Sequence, residues 1–80
     1  MQLNDIPTAE RISQRKRILA HLQAGGELTS VTMLEKFGAY DGRKRISELR
    51  KMGYPIKDRK GHSASSRATF NIYYIDPNEL

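Results

Sequence analysis

Gly25-Gly26, Gly38 and Gly53 cut the first two thirds of this chain into three helical stretches, because glycine accepts the left-handed backbone at which helices commonly stop. Pro7 disfavours helix at Ile6 and suits a start just beyond it, so residues 1–7 read as a loose arm. Thr8 then caps a first helix, with Ser13 as a second candidate start. Ile12, Ile18, Leu19 and Leu22 form its apolar stripe, and Arg11, Arg15, Lys16 and Arg17 face outward. Thr29 or Ser30 caps a second helix from Val31 to Phe37. There Val31, Leu34 and Phe37 recur every three residues, and Met33 with Leu34 widens the buried face. After the turn Gly38-Ala39-Tyr40, Asp41 caps a third helix from Gly42 to Met52 that packs through Ile46, Leu49 and Met52. Two short helices joined by a glycine-containing turn of this length predict a helix-turn-helix.

Beyond Gly53 the pattern changes period. Tyr54-Pro55 breaks the helix, and Ile56 to Arg59 reads as a short strand. Residues 60–66, glycine- and serine-rich, read as a flexible tip, and Ala68 to Ile75 as a second strand rich in β-branched and aromatic residues. Alternation places Phe70, Ile72 and Tyr74 on one face of that strand and Thr69, Asn71, Tyr73 and Ile75 on the other. Both faces carry apolar area, so the pattern leaves the inward one open. Leu28 is placed to pin a short extended segment against this hairpin. Asp76-Pro77 ends the strand, and residues 76–80 read as a tail that frays from Asn78.

Eighty residues allow one domain, here residues 8–75, close to the smallest size that a single core supports. Cysteine is absent, which excludes disulfides, thiolate zinc sites and a thiol nucleophile. Two histidines alone make a poor metal site, so no metal and no cofactor is expected. No apolar run reaches membrane-spanning length, no signal-peptide core follows Met1, and the expected location is the cytoplasm. The formal charge is +5. It is unevenly placed: residues 43–67 carry nine basic residues against two acids, a balance of +7, and the remainder carries five against seven, or −2. A polyanionic partner therefore belongs to the third helix and the hairpin.

Helix, helix-turn-helix and basic hairpin, in that order, predict an α+β winged helix-turn-helix. At about 100° per residue, Gly42, Leu49 and Gly53 fall within about 60° of Ile46, which defines the packed side of the third helix. Tyr40, Arg43, Lys44, Ser47, Glu48 and Lys51 lie opposite. Of these, Tyr40, Arg43, Lys44, Ser47 and Lys51 supply the long and hydrogen-bonding side chains that phosphates and base edges require. Lys57, Arg59, Lys60, His62 and Arg67 on the hairpin complete the expected DNA contacts. Gly42 lets the first helical turn approach a surface closely, its free N–H groups aimed at a phosphate. Arg45 and Arg50 sit on the flanks, open to phosphate contact or to ion pairing with Glu35 or Glu48. His21 reads as a half-buried packing residue, and Tyr73 and Tyr74 as core or half-exposed strand residues. Neither a carboxylate pair, a Ser/His/Asp set nor a phosphate-cradling glycine loop is visible, so the reading is non-enzymatic.

The runs from Arg17 to Gly25 (RILAHLQAG), Leu34 to Gly38 (LEKFG) and Arg45 to Lys57 (RISELRKMGYPIK) resemble a small winged helix-turn-helix family frequent in phage and prophage genomes. The likeness covers roughly residues 13 to 75, and the layout is similar to the DNA-binding domain of biotin-type repressors. It implies a regulator of transcription or an excisionase-like recombination accessory factor that binds double-stranded DNA. A single module buries about 600–1,000 Å² on DNA, so useful specificity calls for a dimer, an array of copies or a partner protein. The alternative is a protein-interaction module whose basic face docks an acidic partner.

Overall fold

In the computed structural model, which describes residues 8–63 and 68–80, three helices are followed by an antiparallel hairpin. The arm 1–7, the tip residues 64–66 and Arg67 lie outside the described residues. The elements are α1 (Thr8–Gln23), α2 (Ser30–Phe37), α3 (Gly42–Lys51), β1 (Ile56–His62) and β2 (Thr69–Ile75), closed by a 3-10 turn at Pro77–Glu79. One core joins them, built from Ile18, Leu22, Leu28, Met33, Ala39, Ile46, Leu49, Ile56, Tyr73 and Ile75.

The inward face of α1 steps by four: Gln14, Ile18 and Leu22 are buried, Leu19 is half-buried, and Ile12 of the expected stripe is exposed. Gln14 takes the inward position because its amide Nε2 donates to the Gly38 carbonyl at 3.3 Å, tying α1 to the end of α2. The helix stops where expected. Gly25, at φ 89°, donates to the Leu22 carbonyl and Gly26 to that of His21, a Schellman ending. His21 packs beside Gly26, meets Phe37 edge-on and bonds the Glu27 carbonyl, the packing role expected of it.

Thr29 is the cap of α2. Its hydroxyl accepts from the Thr32 N–H at 3.1 Å, and the Thr32 hydroxyl accepts from the Thr29 N–H at 2.7 Å, a reciprocal capping box. Thr29→Ala should cost about 1 kcal/mol, read as a fall in thermal unfolding midpoint with an unchanged folded-state circular dichroism spectrum. The buried face of α2 differs from the three-residue repeat. Met33 is fully buried and Phe37 half-buried, while Val31 is 62% exposed and Leu34 40%. An eight-residue helix wedged between α1 and α3 presents one narrow ridge, and the four-residue step from Met33 to Phe37 supplies it.

Asp41 caps α3 by accepting from the Lys44 N–H at 3.3 Å. The helix closes on Gly53 at φ 101°, whose N–H reaches the Arg50 carbonyl while that of Tyr54 reaches Leu49. Met52 is therefore the C-cap, and it is 59% exposed rather than packed. The inward spacing is Gly42, Arg45, Ile46 and Leu49, so a charged residue takes the place expected for an apolar one. Gly42 is also inward. A Cβ there would lie 2.6 Å from Met33 Cε and 2.8 Å from its Sδ, so the glycine serves the contact between α2 and α3 rather than approach to a ligand.

The hairpin is longer than predicted. β1 runs through Lys60, Gly61 and His62, which pair with Asn71, Phe70 and Thr69, and Ser63 still bonds the Ala68 carbonyl. A flexible tip was expected there because glycine and serine favour turns. Gly61 belongs in a strand instead because the Phe70 ring and Ile72 of β2 lie across it and occupy the space of a side chain. Tyr73 and Ile75 point into the core with Ile56, while Phe70 is 40% exposed. Leu28 decides the inward face, bridging Tyr73 through hydrogen bonds of 3.0 and 2.7 Å in both directions. The last residues are ordered into their turn by Asp76, whose carboxylate accepts from the Asn78 N–H at 2.9 Å. No helix of the described residues is long and apolar enough to cross a membrane.

Candidate nucleic-acid interface

The turn between α2 and α3 buries Ala39 and leaves Tyr40 91% exposed at the entrance to α3. One helical face then carries Arg43, Lys44, Ser47 and Lys51, all exposed. Among the described residues the side chains of Arg43, Lys44 and Lys51 have no carboxylate partner. Glu48, expected on this face, leans toward α1. Its Oε1 lies 2.8 Å from Arg45 Nε and 3.9 Å from Arg15 Nη1. The close approach to Arg45 is an ion pair without hydrogen-bond alignment, since that N–H does not point at the carboxylate oxygen. With 4% of its side chain exposed, Arg45 takes the ion-pairing alternative and Glu48 as its partner.

Arg50 also ion-pairs, with Asp58 rather than with Glu35 or Glu48. The hairpin cations divide by face. Register places Asp58, Lys60 and His62 on the side of Tyr73 and Ile75, turned toward α3, and Lys57 and Arg59 on the far side with Tyr74. Lys57 approaches Asp76 at 3.6 Å and Glu79 at 4.0 Å. Arg59 lies over the Tyr74 ring, 5.4 Å from its centre, and reaches Glu27 at 2.7 Å. That hydrogen bond holds the Glu27 carboxyl below its usual range. Lys60 donates to Asn71 Oδ1 at 2.8 Å, and His62 is exposed near the end of β1. Arg67 lies outside the described residues.

Between α3 and the hairpin runs a polar groove of about 470 Å³, bordered by Asp41, Arg43, Lys44, Ser47, Arg50, Asp58 and Asn71, with Ile46 and Tyr73 also lining it. The structure thus brings Arg43, Lys44 and Ser47 together on one wall and sets Lys57 and Arg59 apart from them. Asp58 and Asn71 of the opposite wall escaped sequence reasoning, because a strand residue's face is known only once register is. This layout offers free cations to an anion laid along α3 and hydrogen-bonding groups to whatever enters the groove.

A family model described as a winged helix-turn-helix domain matches residues 13–73. The chain belongs to the winged helix-turn-helix family. No curated protein and no solved structure matches it. In this winged helix-turn-helix chain α2 and α3 form the helix-turn-helix and the β1–β2 hairpin the wing, and family membership supports DNA as the partner.

Proposed function

We propose that the chain is a sequence-specific binder of double-stranded DNA, with α3 in the major groove and the wing along the adjacent backbone. The carrying observation is that Arg43, Lys44 and Lys51 stand on the outward face of α3 with no carboxylate partner among the described residues. Arg43, Lys44 and Ser47 contact base edges or neighbouring phosphates, with Tyr40 and Lys51 on the backbone at either end. Lys60 and His62 extend the contact along the side of the wing that faces α3, and Arg67 is assigned to the same backbone. Lys57 and Arg59, held by carboxylates on the far side, contribute long-range field. The likeness to phage and prophage domains favours a regulator of transcription or of recombination, and binding as two or more copies, in the cytoplasm of a bacterial host. The role is one of binding, with no catalytic step.

Selection of bound fragments from random duplex DNA, followed by a salt series on the winning site, tests this. Enrichment of one motif is expected, with log affinity falling linearly against log salt at about 0.9 per neutralised phosphate. Failure to enrich any motif, or affinity indifferent to salt, would overturn the reading in favour of an acidic protein partner docked on the same face.

A further inference from the structure

We propose that Arg50 is a positioning residue that locks the wing to the reading helix, so that the two meet DNA as one rigid pair. The proposal rests on the DNA-binding reading above. By charge and by position in the +7 run, Arg50 is open to phosphate contact or to ion pairing. Its geometry gives it other work. Nε donates to the Ile56 carbonyl at 2.9 Å, Nη2 donates to Asp58 Oδ1 at 3.0 Å, and the guanidinium lies 5.9 Å from the centre of the Tyr73 ring. One side chain from the last turn of α3 therefore touches both strands of the hairpin.

Such a strut answers a mechanical problem. The apolar anchorage of the hairpin lies at its base, where Ile56, Tyr73 and Ile75 enter the core; both strands run several residues beyond it, where Arg59 reaches Glu27 on the face turned away from α3. A two-stranded ribbon of this kind twists easily. The Arg50 fork joins α3 to Ile56 and to Asp58, two residues farther along β1, and thereby sets the opening of the groove. It also accounts for Asp58, a carboxylate on a groove wall where a phosphate would be repelled. Arginine suits the task because its planar guanidinium aims several donors in fixed directions. A lysine ammonium at that distance cannot serve carbonyl, carboxylate and ring together. The pair is about two-fifths exposed on each side, so its effect lies in geometry more than in stability.

The test compares wild type, R50K and R50Q on the duplex recovered by selection and on the same duplex trimmed from the flank that the wing protects in a hydroxyl-radical footprint. Both variants are expected to lose roughly tenfold in affinity on the full duplex, to match wild type on the trimmed one, and to keep the wild-type salt slope. Wild-type binding by R50K, or a slope lower by about one in R50Q, would make Arg50 a phosphate ligand and overturn the proposal. Equal losses on both duplexes with a lowered unfolding midpoint would overturn it as a general stability effect. Absence of duplex binding by the wild-type chain removes the DNA reading first, and is told apart because no variant is involved.

Discussion

Replacing Arg43 and Lys44 together by Ala is expected to weaken binding to the selected duplex by about 2–4 kcal/mol, roughly 30- to 700-fold, with thermal stability within about 0.5 kcal/mol of wild type. The separation follows from where these side chains stand. Both are exposed on the outward face of α3 and neither has a carboxylate partner among the described residues, so their removal costs the fold little. Alanine is moreover the best helix former. On DNA each lost cation returns its counterion, so the salt slope should fall by about two units. Fluorescence anisotropy across a salt series measures both quantities. R59A serves as the contrast: Arg59 is held by Glu27 on the far side of the wing, and a slope change much below one is expected. Equal losses from R59A and from the double variant would place DNA on the other face of the hairpin.

Gly42→Val is expected to destabilise the chain by about 1–3 kcal/mol, the usual cost of forcing extra methyl groups into a packed core. The new Cβ would meet Met33 at three atoms, with its Cβ at 3.0 Å as well as its Sδ and Cε closer still. The tip of a methionine can swing away at a surface. Met33 is fully buried between helices, so either it adopts a poorer rotamer or α2 moves off α3. Valine's better helix propensity returns only about 0.5 kcal/mol of this. A second substitution, Met33→Ala, removes the obstructing atoms, and the double variant should show less loss than the two single ones add up to. Chemical denaturation of the four proteins gives the coupling directly. Additive losses would mean that Gly42 does not bear on Met33. A shifted α2 would also carry the Tyr40 turn with it, so Gly42→Val should weaken DNA binding even under conditions where the chain remains folded.

Local spacing accounts in full for the exposure of Arg43 and Lys44 and only in part for Gly42. Arg43, Lys44, Ser47 and Lys51 were legible as an exposed face because helical geometry relates residues three and four apart and a local count suffices. Gly42 was legible as lying on the packed side, yet the close partner that requires a glycine is Met33, on another helix. The α2 face departs from its sequence pattern for a related reason. Val31, Leu34 and Phe37 make a regular series, but with only eight residues the neighbours select the ridge, and they select Met33 and Phe37. Arg45 and Met52 were exchanged in effect, since α3 ends at Lys51 and its packed row continues through a guanidinium that Glu48 accompanies.

The order and limits of the helices follow from the residues alone, because capping acts locally. Thr29 with Thr32, Asp41 with Lys44, and the left-handed glycines at 25, 38 and 53 each act within a few residues of chain. The basic bias toward α3 and the wing was likewise determined there, since charge is counted along the chain. Which cations find a carboxylate is set by long-range packing. Arg59 finds Glu27, Lys57 finds Asp76 and Arg50 finds Asp58 only after the hairpin has folded back and its register has assigned each strand residue a face. Alternation of apolar residues could not assign those faces, because Phe70, Ile72 and Tyr74 are as apolar as Tyr73 and Ile75. The Leu28 bridge could, by fixing Tyr73 in the core and with it every second side chain of the wing.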